Sequence, residues 1–320
     1  MKNPSLTRRA FLEKTAVLSA SSLFAGTVPL AFAQSGAQPR IKFPDAPRDR
    51  IAVASYPFRA YIDTPGNRDR DPKLPGMDFM QFAAHVIEKF NIHNIEPYGP
   101  HFRSLDPAYL ATFQGALHKA EAKVVNIAVS LRQSVYDAES SARAQAVASA
   151  KKWIDVAVAI GSPGIRTHIS GTKNSAPNLE RCAESFREIV PYAASRNIVV
   201  TLENDDLVTE DAFFLVKLIE AVNHPYLRAL PDFANSMLTG DADFNYRALQ
   251  AMFQHAYNIC HVKAGETDEK GKAFSIDMKK SFDILKASSF RGYCSMEFDA
   301  PGEPYAPTDS LIEQTLRYLS

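Results

Sequence analysis

The chain has 320 residues, 36 basic and 36 acidic side chains, 46% hydrophobic residues and 22% charged residues. That length fits one large α/β barrel or two ordinary domains, and the composition is that of a globular protein with a full core. Residues 1–33 carry four basic side chains and one acidic, so 32 basic and 35 acidic side chains remain. A net charge near −3 provides no basic face and excludes nucleic acid as a partner; small neutral or weakly charged ligands fit better.

In chain order, Thr7-Arg8-Arg9-Ala10-Phe11-Leu12 resembles the twin-arginine export motif, with Glu13 where lysine is common. An Ala/Ser/Gly-rich apolar stretch follows, then Ala31-Phe32-Ala33, a small-x-small cleavage pattern. Gly26 and Pro29 interrupt a segment barely long enough to span a bilayer, which argues against a stable membrane anchor. The expectation is a signal peptide over residues 1–33, recognition by the twin-arginine export machinery, and a mature protein in the periplasm or another extracytoplasmic compartment.

Residues 34–48 read as an extended lead-in, and residues 49–320 as one α/β domain. Expected strands are Ile51–Ser55, Ile92–Glu96, Lys123–Ala128, Gly164–Ile169, Ile198–Glu203, Leu227–Asp232, Ala256–Lys263 and Gly292–Glu297. Expected helices are Asp78–Phe90, Pro107–Ala120, Ala138–Ile160, Asn178–Ser195, Thr209–Val222, Asn245–Phe253, Lys279–Ala287 and Thr308–Leu319. Asp106 before Pro107 reads as an N-cap and first-turn proline, and Thr209-Glu210-Asp211 places acids in a first turn. Eight strands alternating with eight helices predict a single (β/α)8 TIM barrel, close to the usual size of about 250 residues. An open doubly wound sheet is disfavoured because no Gly-x-Gly-x-x-Gly turn follows the first strand. The long polar segment Tyr56–Met77 reads as a loop over the barrel mouth. Cys182, Cys260 and Cys294 are an odd set without short spacing, neither a disulfide framework nor a zinc knot, and are read as structural.

The chemistry concentrates at the strand ends. The fifth strand ends in Glu203, the sixth in Asp232, the seventh carries His261 near its end and the eighth ends in Glu297. Their separations are 29, 29 and 36 residues, each about one βα repeat. In a barrel they converge on one half of the C-terminal rim, where three carboxylates and an imidazole suit Mn²⁺, Mg²⁺, Co²⁺ or Zn²⁺. Each has a plainer alternative taken singly. Glu203 could cap a helix, Asp232 an Asx-turn, His261 could be a hydrogen-bonded core histidine, and Glu297 could pair with a surface cation. Four consecutive strand ends favour the shared metal site. Lys263 has the same strand parity as His261 and could enter the mouth or reach solvent. His168 ends the fourth strand and is a candidate substrate contact. Tyr56 and Phe58 could stack on a sugar face or simply pack. Glu96, His101 and Glu266 carry weaker signals.

On Leu202-Glu203-Asn204, Asp232-Phe233-Ala234-Asn235, His261-Val262-Lys263-Ala264 and Gly292-Tyr293-Cys294-Ser295-Met296-Glu297-Phe298 the chain resembles the xylose isomerase-like TIM barrel superfamily, in particular the sugar phosphate isomerase/epimerase family. The resemblance runs across most of residues 50–305. It implies that Glu203, Asp232, His261 and Glu297 ligate one divalent metal ion, Mn²⁺ first, and that Glu203 and Glu297 also form the catalytic acid/base pair. It places Asn235 where the epimerases have a substrate-contacting His or Asn, and it allows a homo-oligomer. DNA-repair endonucleases of this fold need several further metal-binding histidines, and this sequence has too few. No Arg/Lys cluster for a sugar phosphate is evident.

The expected function is therefore an exported, metal-dependent isomerase or epimerase of an unphosphorylated sugar or keto-sugar, working by proton transfer beside a carbonyl. The alternatives are a 3-keto-glycoside lyase using the same site and a non-catalytic carbohydrate-binding barrel.

Overall fold

A computed structural model describes residues 37–300 and 302–320. The expected signal peptide lies outside the described residues. The remainder alternates parallel strands and helices around a large core, with a second small cluster of Ala52, Val125, Leu230, Ile259 and Tyr293. The strands are β1 Ile51–Ala54, β2 Asn94–Glu96, β3 Lys123–Val124, β4 Ile127–Val129, β5 Gly164–Thr167, β6 Val199–Glu203, β7 Leu227–Leu230, β8 Ile259–Val262, β9 Gly265–Thr267, β10 Ala273–Ser275 and β11 Tyr293–Met296. The helices are α1 Phe82–Phe90, α2 Pro107–Lys119, α3 Ser140–Ile160, α4 Leu179–Ala194, α5 Ala212–Val222, α6 Ala242–Phe253, α7 Met278–Ala287 and α8 Tyr305–Leu319.

Short polar side chains set the helix starts. Asp78, Asn178, Asp211, Asp241 and Asp277 are N-caps whose side chains accept backbone N–H bonds from the first turn. Asn91, Gly161 and Asn223 stop α1, α3 and α5 in the left-handed conformation. The fifth helix therefore begins at Ala212, three residues later than expected. Asp211 caps it, accepting from Phe213 N at 3.1 Å and Phe214 N at 3.0 Å. Thr209 and Glu210 lie before the helix, which frees the Glu210 side chain for another role.

Two parallel arcs form the barrel wall, one in the order β3-β2-β1-β11-β8 and the other β4-β5-β6-β7. Isolated bridges join them: Tyr98 with Ala128 on one side, Ala229 with Ala256 and Asp232 with His261 on the other. Ala128 N donates to Pro97 O at 2.8 Å, His261 N to Pro231 O at 3.0 Å and Phe233 N to His261 O at 3.2 Å. The second seam thus sets Asp232 beside His261. The expected third strand is two strands, because its pairing passes from β2 at Lys123–Val124 to β5 at Ile127–Val129. The antiparallel pair β9–β10 was not expected; its strands are three residues long, too short to carry a periodicity to read.

The barrel interior is close-packed. A Cβ on Gly164 would lie 2.6 Å from Asn258 Nδ2, so the fifth strand admits only glycine there without displacing its neighbours. At the N-terminal ends of the strands the lead-in is tied down, with Tyr226 OH donating to Gln38 O at 3.3 Å and Tyr257 OH to Pro39 O at 2.9 Å. Phe43 packs edge-on against Tyr257 and Tyr293. The opposite rim is left for chemistry.

Candidate active site

Glu203, Asp232, His261 and Glu297 meet at the C-terminal rim, each offering one ligand atom within 4.8 Å of the others. All four are buried. His261 Nδ1 faces Glu203 Oε1 at 2.7 Å and Glu297 Oε2 at 3.1 Å. Its Nε2 lies 3.0 Å from Glu96 Oε2, and Glu96 is fixed in turn by Asn126 Nδ2 at 2.8 Å. Asp232 Oδ1 accepts from Ala234 N at 2.8 Å and Asn235 N at 2.7 Å, which aims the carboxylate inward. Asn204 fastens the same turn, accepting from Asp232 N at 2.8 Å and donating to Ser236 Oγ at 3.0 Å.

Two cations balance this cluster. Arg166 Nε lies 2.7 Å from Glu203 Oε2. Lys263 Nζ donates to Asn235 Oδ1 at 2.9 Å and lies 3.2 Å from Glu297 Oε2, 3.4 Å from Glu266 Oε2 and 3.7 Å from Asp232 Oδ2. Burial alone would neutralise the acids, but neighbouring charge decides each case. Glu203 is pushed up by burial yet drawn down to about 2 by Arg166 and His261. Glu297 is likewise held below the usual carboxylate range by His261 and Lys263 against burial. Asp232 goes the other way, to about 7, because burial and the charges on Glu203 and Glu297 outweigh Lys263. Burial disfavours the charged form of His261, but Glu203, Glu297 and Glu96 hold its pKa well above the ordinary imidazole value.

These residues fit a divalent cation. The buried Asp232 Oδ2 has no hydrogen-bond partner, its nearest cation being Lys263 Nζ at 3.7 Å, which leaves a strong acceptor unsatisfied within the cluster. Three carboxylates with one imidazole are a donor set for a hard or borderline divalent ion. Glu96 at Nε2 fixes the histidine so that Nδ1 can be a ligand, the usual carboxylate–histidine support of metal sites. A second trio, His168, Asp205 and Glu210, also lies within 4.8 Å. Arg166 Nη1 abuts His168 Nε2, and that fixed positive charge opposes a cation there.

The cluster forms part of the wall of a cavity of about 220 Å³ lined by Tyr56, Tyr98, Arg166, His168, Glu203, Asp205, Asn235, Lys263, Glu297 and Asp299. All four expected substrate-contacting residues, Tyr56, His168, Asn235 and Lys263, line it. His168 is oriented by Glu210, 2.8 Å from its Nδ1, and Glu210 is itself held by Ile169 N at 2.6 Å. Phe58 is fully buried against Phe82, Phe90 and Tyr305, so it packs and does not stack on a ligand. His101 is buried, 2.9 Å from Ser55 Oγ, and does not line the cavity. Arg166, Tyr98 and Asp299 were not anticipated. Arg166 sits within a short buried strand, and its partner comes from the adjacent strand, a register no local pattern reveals.

A parallel barrel with a buried acid–imidazole cluster at its C-terminal rim holds that cluster at the end where barrels of this architecture carry their sites. The chain belongs to the xylose isomerase-like TIM barrel family, whose sequence model matches residues 82–320. Among solved structures it is similar to a xylose isomerase domain protein from Planctomyces limnophilus (20% identity, 82% of this chain, 94% of that one, TM-score 0.61). An L-ribulose 3-epimerase aligns at 16% identity over 84% of this chain and 95% of its own, TM-score 0.64. A 3-keto-D-glucoside 4-epimerase from E. coli aligns at 14% identity over 83% and 98%, TM-score 0.60. No curated protein matches by sequence.

Proposed function

We propose that the protein is a metal-dependent sugar isomerase or epimerase acting on an unphosphorylated sugar or keto-sugar, exported under the direction of its N-terminal twin-arginine-type segment. One observation carries the catalytic reading: Glu203 and Glu297 approach His261 Nδ1 from different strands, at 2.7 and 3.1 Å, in the wall of a cavity large enough for a monosaccharide. Its sugar-epimerase structural neighbours agree with it.

Glu203, Asp232, His261 and Glu297 would hold the ion, Mn²⁺ first and Mg²⁺, Co²⁺ or Zn²⁺ otherwise, and its contribution when bound is Lewis-acid polarisation of a carbonyl oxygen. The protein's own groups carry the protons. Both glutamates are held ionised and can act as bases. One takes the proton from the carbon between a carbonyl and a hydroxyl; the other, after taking up a proton from solvent water, returns it to the opposite face or the neighbouring carbon. Lys263 and Arg166 place fixed positive charge where negative charge grows on the substrate oxygens. Asn235 and His168 offer hydrogen bonds to hydroxyls, and Tyr56 bounds the mouth.

The test is product analysis by NMR after incubating metal-loaded protein with ketoses and 3-keto-sugars. An epimer or isomer of unchanged mass supports the proposal. Release of an aglycone would assign a lyase instead, and a panel returned wholly unchanged would leave a binding barrel.

A further inference from the structure

A second cavity, of about 310 Å³, adjoins the first beneath the β9–β10 hairpin. Its apolar surface comes from Ala264, Phe274, Phe298, Pro307 and Leu311, contributed by the β8–β9 turn, the hairpin, the segment after β11 and helix α8. Lys263 and Asp299 line both cavities. Phe298 directly follows Glu297, so one short segment supplies a carboxylate to the polar cavity and an aromatic ring to the apolar one. The hairpin is built for close approach. A Cβ on Gly265 would collide with Phe274 O, and only glycine lets Phe274 fold over the cavity.

We infer that these two cavities are one bipartite site, and that the substrate is a keto-glycoside whose sugar ring occupies the polar cavity while an aromatic aglycone occupies the apolar one. The inference rests on the carbohydrate reading above and narrows it from sugars to aryl keto-glycosides. Size supports it: an apolar cavity of about 150 Å³ takes a benzene ring, so about 310 Å³ holds a bicyclic ring system. Polarity supports it too. A free hexose can lay one C–H face on a single ring but has no apolar group to fill a cavity walled by Phe274, Phe298 and Leu311. Lys263 and Asp299 form the neck, where the glycosidic linkage would lie. Lys263 is held there by Glu266 and Asn235, and Asp299 by Arg59 at 2.7 Å.

Binding, not turnover, tests this. Matched methyl and 4-nitrophenyl glycosides of several hexoses, with their 3-keto forms, are titrated calorimetrically into the metal-loaded protein. The aryl member of the preferred pair should bind at least tenfold more tightly. Ser310, exposed on α8 and lining the second cavity, provides a variant outside the polar cavity. Ser310→Trp should fill the apolar cavity and bring the aryl-to-methyl ratio close to one, with methyl-glycoside affinity and metal content unchanged. Phe274→Ala, which removes one wall, should lower the ratio by a separate route. Aryl and methyl affinities within twofold in the parent protein, no binding by any pair, or a ratio untouched by Ser310→Trp would each overturn the inference. Hydrogen exchange into substrate without an aryl preference sinks this inference alone. An aryl preference without exchange sinks the catalytic reading and leaves the bipartite site standing.

Discussion

Glu96 reaches His261 Nε2 at 3.0 Å from β2, leaving Nδ1 to face Glu203 and Glu297. The carboxylate fixes the imidazole ring before any ion arrives, and keeps the remaining proton on Nε2 once an ion displaces the one on Nδ1. That arrangement explains how a histidine buried among carboxylates serves as a neutral metal ligand when an ion supplies the positive charge the acids require.

Replacing Glu96 should therefore weaken the site without touching a ligand. Glu96→Gln keeps the shape but removes the negative charge that faces Nε2, and metal affinity should fall about 10- to 100-fold. Competition with a fluorescent chelator measures this. An unchanged affinity would remove Glu96 from its supporting role.

Arg166 and Glu203 are a buried pair with Nε and Oε2 2.7 Å apart. Arg166→Met leaves the carboxylate uncompensated, which costs about 3–5 kcal/mol in stability. Urea unfolding should show that loss in chelator-treated protein, with part of it recovered in the Arg166→Met/Glu203→Gln double variant. Added Mn²⁺ should also lessen it, because the ion replaces the missing positive charge.

Metal removal should lower the stability of the parent protein. An ion bound only by the folded state at about 1,000 times its Kd contributes about 4 kcal/mol. Thermal unfolding with and without chelator should separate by several degrees, and Asp232→Asn should abolish most of the difference.

His101, outside the acid–imidazole cluster, gives the fold a pH dependence. Burial, reinforced by Arg59, depresses its pKa from 6.5 to about 3. Between those values the unfolded chain binds a proton that the folded chain does not, so stability falls as pH falls. From pH 7 to pH 5 the loss is about 2 kcal/mol. Comparing urea midpoints at the two pH values should show a smaller loss for His101→Gln than for the parent.

The convergence of Glu203, Asp232, His261 and Glu297 was legible in the sequence because the same event recurs: an apolar run stops at an acid or imidazole, one βα repeat after the last. Lys263 was legible through its parity with His261. Glu96 also ends a strand, but its partner lies 165 residues away and no repeat signals it. Arg166 was hidden because a single cation in a short buried strand gains meaning only from the β5–β6 register. Glu210 looked like a first-turn acid until Asp211 took the cap and left it to orient His168. The overall fold was readable from alternation, whereas the two seams and the hairpin depend on tertiary pairing that short polar segments do not encode.

Deuterium incorporation bears most directly on proton transfer by Glu203 and Glu297. Metal-loaded protein is incubated in D₂O with the keto-sugar it converts, and NMR follows the hydrogen beside the carbonyl. The parent should wash deuterium into that position, and Glu203→Gln and Glu297→Gln should each slow the exchange about 10²- to 10⁴-fold while still binding metal and sugar. Turnover without incorporation, or exchange at parental rates in both variants, would contradict the account.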